Sequence, residues 1–380
     1  MLNAIVLSED PAVGVAVQEL ASASRQVSVV KSSERPNATP YEIARLFNTY
    51  APELTFIDLR DPAGSLALLQ LIFGQDASAI VIGLGFKLPA SWRQRFEEYG
   101  LAEYLEFPMS VEEFEQSVLR ATRKVRPTVS EKLVAYLPAK AGSGSTTVAV
   151  NVAGGLAKAG KNVLLLEADI NSGVLSTMLN ATPSVPIVNV LAQSSSLDAT
   201  TWSAAVTHSA GMDMLLTDTA TTRPLPTWVN YHQLLRFALS RYDYIVADLP
   251  EVINSATEEI VRSAHAVMVV CTPEMLSLTL TRRRLAELHQ RDIPEDRIHV
   301  VLNRWHSTDI SVENIGKILK HKIAAVLPND YRSVNSSVVE STLITEDSKL
   351  GRSLTAFARK LTGEAVEIPK SKRTSWFAQK

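Results

Sequence analysis

The chain has 380 residues, of which 46% are hydrophobic and 21% charged, and a formal net charge of −2. This is the composition of an ordinary soluble globular protein, too long for one typical core, so two domains are the default. The near-neutral balance argues against wholesale nucleic-acid binding, and the single cysteine, Cys271, excludes an intramolecular disulfide or a cysteine-rich zinc site and suits a reducing cytoplasm.

The opening residues, MLNAIVLSEDPAV, have no basic region and meet acids by residue 9, so no signal peptide is expected. No apolar run approaches the ~20 residues that a membrane span requires. Strand-like runs then alternate with helical ones: NAIVLS (3–8), VSVVK (27–31), LTFIDL (54–59), AIVIGL (79–84) and EYLEF (103–107). Between them lie amphipathic stretches such as YEIARLFNTY (41–50) and SVEEFEQSVLRATRKV (110–125), the latter with Val111, Phe114, Val118 and Leu119 at helical spacing. The pattern predicts a small doubly wound α/β domain over 1–125, followed by a charged, proline-containing linker at 126–132.

A second alternating series begins at LVAYLP (133–138) and continues through NVLLLEAD (162–169), MDMLLT (212–217), YDYIVADLP (242–250), AVMVVCTP (266–273), IHVVLNR (298–304) and IAAVLP (323–328). Strands this uniformly apolar are buried on both faces, which predicts a mostly parallel sheet covered by helices over 133–361. QSSSLDATT (193–201) and TDTATTRPLPTW (217–228) read as loops, and 362–380 as a polar, basic tail.

AKAGSGSTT (139–147) lies between the first of these strands and a helix rich in small residues, TTVAVNVAGGLAKAG (146–160). A loop at a strand's carboxyl end that opens a helix is where anionic ligands bind in such sheets, because free N–H groups and the helix dipole face the ligand. Gly142 and Gly144 permit close backbone approach, while Ser143, Ser145, Thr146 and Thr147 add hydroxyls. A P-loop is written G-x-x-x-x-G-K-S/T; here Ala139 replaces the first glycine and Ser145 the lysine. Taken alone, the stretch is equally a Ser/Gly turn.

Its order with three further motifs resembles the ParA/MinD ATPase superfamily and its deviant Walker A motif, K-G-G-x-G-K-T-T/S. By that resemblance Lys140 matches the signature lysine that reaches the partner subunit's nucleotide, residues 141–147 (Ala141 among them) bind phosphate, and Thr146 binds Mg²⁺. LLLEAD places Asp169 near Mg²⁺ and the attacking water, as the candidate catalytic residue, with Glu167 where aspartate is usual. VADLPEV places Asp248 as a Walker B acid holding Mg²⁺ through water, and VVLNRW places Asn303, with Arg304, at adenine. The lysine-less GSGSTT, VADLPEV, VLNRW and AAVLPNDYRSVNSSVVES (324–341) resemble one branch, the TadZ/CpaE family of Flp/Tad pilus assembly proteins, over about 133–361.

That family also carries an N-terminal receiver-like (flavodoxin-like) domain. PELTFIDLRDP (52–62) resembles the strand and loop of a receiver's phosphoacceptor, with Asp58 in that position and Glu9 and Asp10 where Mg²⁺-binding acids stand. Three carboxylates at adjacent strand ends predict a hard-cation pocket. Phe107 replaces the receiver lysine and Gly83 or Leu84 the hydroxyl residue, so the domain is expected to serve interaction rather than phosphotransfer.

The resemblance implies ATP and Mg²⁺ as cofactors and a homodimer built around them. It further implies pilus or secretion machinery at the inner membrane as partner, and a cytoplasmic location at a pole or the inner-membrane face. The absent lysine implies slow or negligible hydrolysis; the alternative is a cycling ParA/MinD-type ATPase that positions DNA or a division or envelope complex. No specific nucleic acid is expected as partner: Arg282, Arg283 and Arg284 read as a solvated or partner-facing helix face, with DNA contact as the alternative. PKSKRTSWFAQK (369–380) reads as a solvated tail, with weak contact to an anionic membrane as the alternative. The seven histidines are scattered without metal-ligand spacing.

Overall fold

The computed structural model describes residues 1–33, 39–76, 79–125, 130–218 and 226–363. The basic tail beyond residue 363, most of the proposed linker and much of the 217–228 stretch lie outside these residues. The chain divides into two compact units, one of residues 1–128 with 226–233, the other of the remaining described chain.

The first unit alternates strand and helix: β1 (Leu2–Leu7), α1 (Pro11–Ser24), β2 (Val27–Ser33), α2 (Pro40–Tyr50), β3 (Leu54–Asp58), α3 (Pro62–Gln75), β4 (Val81–Gly85), α4 (Ala90–Glu98), β5 (Glu103–Glu106) and α5 (Val111–Val125). The strands run in the order β2-β1-β3-β4-β5, all parallel. Every residue of β3 and β4 is buried, because helices cover both faces of the sheet. The chain reverses its winding between β1 and β3, which opens a crevice beyond their carboxyl ends. Helix starts are set locally: Asp10 caps α1 by accepting from Ala12 N, Thr39 caps α2, and Pro11, Pro40 and Pro62 open α1, α2 and α3.

The second unit holds β6 (Ser130–Pro138), α6 (Ser145–Lys158), β7 (Val163–Glu167), α7 (Leu175–Met178), α8 (Ile187–Ala192), α9 (Ala199–Ala205), β8 (Thr207–Ser209) and β9 (Met212–Leu215). It continues, after α10 (Trp228–Leu239), with β10 (Tyr244–Asp248), α11 (Thr257–Ser263), β11 (Ala264–Cys271), α12 (Met275–Gln290), β12 (Ile298–Trp305), α13 (Val312–Leu319), β13 (Ile323–Pro328), α14 (Tyr331–Val339) and α15 (Lys349–Leu361). Eight strands form one sheet in the order β13-β12-β11-β6-β10-β7-β9-β8. All pair in parallel except the edge hairpin β8–β9. The predicted strands all appear; the short antiparallel β8 was not predicted, since THS carries no apolar signal.

Residues 193–201, expected to be a loop, contain a 3-10 turn and the start of α9. Asp198 accepts from Thr201 N at 2.7 Å while Thr201 Oγ1 accepts from Asp198 N at 2.9 Å, a reciprocal cap that starts the helix and buries Trp202. The polar residues that suggested a loop are its helix cap. What positions the site is the centre of the sheet: β6, β7 and β10 lie side by side and their carboxyl ends open onto one face of the loop before α6.

Candidate functional site

Pro138 ends β6, and the chain turns through Gly142 (φ 75°) and Gly144 (φ 87°) before α6 begins at Ser145. Gly144 is required twice over, by its left-handed backbone and because a Cβ there would lie 2.4 Å from Asn303 Nδ2. The loop, the segment 168–172 after β7 and the segment 249–252 after β10 line a cleft of ≈ 600 Å³. Ser143 Oγ and Ser145 Oγ are buried at this loop without a hydrogen-bond partner. Ser143 is fully buried and Ser145 is 5% exposed. Buried hydroxyls are ordinarily paired, and two unpaired ones at a helix N-terminus are compatible with an acceptor-rich anion there.

Thr146 Oγ1 donates to Asp248 Oδ2 at 2.7 Å, whereas Asp248 Oδ1 is buried with no partner. Burial pushes the Asp248 carboxyl up to about 7; the charges of Glu167 and Asp169 add to the rise and the Thr146 bond opposes it. Glu167 is its neighbour in register on β7 and is fully buried, but its charge is met. It accepts from Leu175 N (2.8 Å), Thr217 N (2.7 Å) and Thr217 Oγ1 (2.8 Å). The extra methylene of glutamate lets one side chain tie together the segments after β7 and β9. Gly173 lies over this tie, where a Cβ would sit 2.5 Å from the Glu167 carboxyl carbon. Asp169 lines the cleft, half-buried, and accepts from Ser172 N at 3.0 Å.

The predicted residues are therefore gathered unequally. Residues 141–146 and Asp169 line one cleft, with Asp248 behind Thr146. Asn303 and Arg304 line a separate groove of ≈ 220 Å³ that shares Gly144 with the cleft and also takes in Thr147. Asn303 is 7% exposed and its amide is engaged: Nδ2 donates to Ser143 O at 2.9 Å and Oδ1 accepts from Arg304 N at 2.9 Å. It braces the loop whatever else it does. Lys140 is outside the residues lining the cleft, with Nζ 3.4 Å from Ala141 O. Sequence reasoning missed Glu251, whose Oε2 accepts from Ala141 N at 3.0 Å, and Thr217. The signal for Glu251 was available, an acid three residues beyond Asp248 at the end of the same strand.

In the first unit, Glu9, Asp10 and Asp58 do line one pocket, of ≈ 400 Å³, together with Arg60 and Asp61. The expected hard-cation pocket is replaced by an internal cation. Arg60 Nε contacts both Asp58 oxygens (3.1 and 3.0 Å), Arg60 Nη2 contacts Asp58 Oδ2 (2.6 Å) and Arg60 Nη1 contacts Asp10 Oδ2 (3.0 Å). Ser8 Oγ also donates to Asp58 Oδ2, at 2.8 Å. Burial works to raise the Asp58 carboxyl, but the bonds from Arg60 and Ser8 outweigh it and hold the group below the usual carboxylate value. No cluster of three or more His, Cys, Asp or Glu able to hold a metal occurs among the described residues. Phe107 packs its ring 5.8 Å from that of Phe86.

The raised Asp248 carboxyl has a consequence for stability. The folded chain keeps this proton up to about pH 7, whereas the unfolded chain releases it near pH 4, roughly the free aspartate value. The folded state therefore binds more protons in that window, and stability falls as pH rises through it. In metal-free buffer Asp248→Asn should melt at a higher temperature than the parent at pH 8, with the gap closing towards pH 5; a gap independent of pH would contradict this.

Residues 131–290 match the family model described as an AAA domain, AAA_31. The septum site-determining protein MinD of Synechocystis sp. is 27% identical over 248 residues, covering 62% of this chain and 91% of the relative. A ParA family ATPase from Chlorobium tepidum superposes with a TM-score of 0.56 at 21% identity, over 60% of this chain and 99% of that one. A chain of the MinC:MinD cell division protein complex of Aquifex aeolicus gives 0.52 at 24% identity, over 62% and 98%. The second unit thus matches an AAA domain over residues 131–290 and is similar in sequence to MinD proteins and in fold to ParA/MinD ATPases.

Proposed function

We propose that the second unit binds Mg-ATP and that the chain acts as a nucleotide-supported homodimeric scaffold with slow or negligible turnover, in the assembly or placement of a Flp/Tad pilus. The observation that carries nucleotide binding is the set of buried, unpartnered polar atoms at one helix N-terminus: Ser143 Oγ, Ser145 Oγ and, behind Thr146, Asp248 Oδ1. These fit a phosphate and a hard cation. The amides and hydroxyls of 141–147 would hold phosphate, Thr146 and Asp248 would hold Mg²⁺, Asp169 stands at the edge of the same cleft, and Asn303 with Arg304 would meet adenine. Magnesium, if bound there, would supply charge neutralisation to the phosphates.

Ser145 cannot replace a lysine's charge. Losing one charged donor to phosphate costs on the order of 1.5–3 kcal/mol, or about ten- to a hundredfold in affinity. The backbone cradle remains, so binding survives. Hydrolysis suffers more, because charge grows on the phosphoryl group in the transition state. Lys140, outside the cleft of its own chain, fits a role reaching across a dimer. The pilus reading rests on the motif resemblance; a MinD-like cycling ATPase is favoured equally by the curated relatives, and Ser145 and the first unit are what separate the two.

The first unit, with strand order 2-1-3-4-5 and acids at the ends of β1 and β3, supports an atypical receiver kept for interaction. Arg60 already engages Asp58 and Asp10, and Phe107 offers no charge to a phosphoryl group. The proposed location is cytoplasmic, towards a pole or the inner-membrane face; among the described residues no helix is long and apolar enough to cross a membrane.

Calorimetry on the full chain should show Mg-ATP binding, weakened roughly tenfold or more in Thr146→Ala, as for other changes that disturb a metal's surroundings; identical isotherms would remove the metal role of Thr146. Steady-state turnover matching lysine-containing superfamily members, and lost in Asp169→Ala, would overturn the slow-hydrolysis reading. Sedimentation should show Mg-ATP favouring the dimer, and indifference to ATP would make the scaffold constitutive. Incubation with acetyl phosphate and Mg²⁺ should leave Asp58 unmodified; an acid-stable, hydroxylamine-labile phosphoryl group on Asp58 would contradict the role given to Arg60.

A further inference from the structure

Glu251 follows Asp248 by three residues and lines the cleft beside the loop 141–146. Its carboxylate Oε2 accepts a hydrogen bond from Ala141 N at 3.0 Å, so an anion of the chain itself sits on a backbone donor of the phosphate cradle. The side chain is exposed, yet the backbone that carries it is held: Arg284 of α12 donates to Glu251 O and to the Glu287 carboxylate, and Arg291 donates to Ile253 O at 3.3 Å. Arg284 is itself largely buried, its side chain 10% exposed. A held backbone with an exposed carboxylate on one backbone donor is the arrangement of a competitor that can be displaced without moving the fold.

From this contact, and resting on the Mg-ATP reading above, we infer that Glu251 sets the nucleotide affinity of the site by occupying the Ala141 amide and repelling incoming phosphate. Two effects act in the same direction. A phosphate oxygen that takes the Ala141 amide must first break the carboxylate's bond to it, and the displaced carboxylate remains at the cleft rim as a like charge. Solvent screens the second effect at this exposed position, so the change is moderate. Ligands without phosphate compete for no such amide and feel no such repulsion.

The test is calorimetry on the full chain and on Glu251→Gln and Glu251→Ala, titrated with Mg-ATP, inorganic pyrophosphate with Mg²⁺, and adenosine. Glutamine keeps the size and a neutral acceptor but removes the charge. Both variants should bind Mg-ATP and pyrophosphate roughly three- to tenfold more tightly than the parent, with adenosine unchanged. Unchanged or weaker Mg-ATP binding in the variants, with the parent binding normally, would overturn this role and leave the nucleotide reading standing. An equal gain for adenosine would also overturn it, since that would reflect a loosened cleft rather than relieved charge. Absence of binding by parent and variants alike would remove the nucleotide reading and this inference with it.

Discussion

Two carboxylates end neighbouring strands in the second unit, and the fold treats them oppositely. Glu167 on β7 has its charge met by three donors and serves as a tie between loops. Asp248 on β10 has one oxygen on Thr146 and the other on nothing. A buried carboxylate left short of partners is costly, and its raised pKa expresses the same cost in protons. The cost vanishes if a cation arrives, and Thr146 at the first turn of α6 is the hydroxyl placed to share it. The rest of the cleft is organised around this unfinished pair: β6 delivers the loop, α6 turns its N–H groups outward, and β7 brings Asp169 to the rim.

The first unit shows the opposite solution to the same problem. Its acids also stand at the carboxyl ends of parallel strands, around a point where the winding reverses. There the chain supplies its own cation: Arg60 grips Asp58 with three nitrogen–oxygen contacts and reaches Asp10 with a fourth. In the first unit the central acid, Asp58, has its cation within the chain, whereas Asp248 in the second unit has none among the described residues. In the second unit Ser145, a short, buried hydroxyl, stands where the P-loop pattern has a lysine. On the proposed reading, grip on a phosphate would depend on backbone geometry, which favours binding over the growth of charge in a transition state.

Much of this was legible in the residues. Uninterrupted apolar runs such as LVAYLP and VLLLE give central strands because both faces are covered, and their spacing gave the α/β alternation in each unit. The loop at 139–147 was legible because glycines and hydroxyls crowd a strand-to-helix junction. Side-chain partnerships were not. Nothing in the order of residues says that Glu167 reaches Thr217, fifty positions away, or that Asn303 braces the Ser143 carbonyl. Arg60 lay within a quoted motif, yet only folding shows that it bends back over Asp58. Asp198 was misread because the same polar side chains cap a helix or line a loop, and only the reciprocal bonds to Thr201 distinguish the two.

The central claim is that backbone amides, two buried hydroxyls and the Thr146–Asp248 pair suffice to hold a magnesium triphosphate without a P-loop lysine. A crystal structure of the chain with Mg²⁺ and a non-hydrolysable ATP analogue tests it most directly. The account predicts phosphate density on the amides of 141–147 and a cation that opens the contact between Thr146 Oγ1 and Asp248 Oδ2, now 2.7 Å. An empty cleft at saturating nucleotide, with that contact still closed, would contradict it.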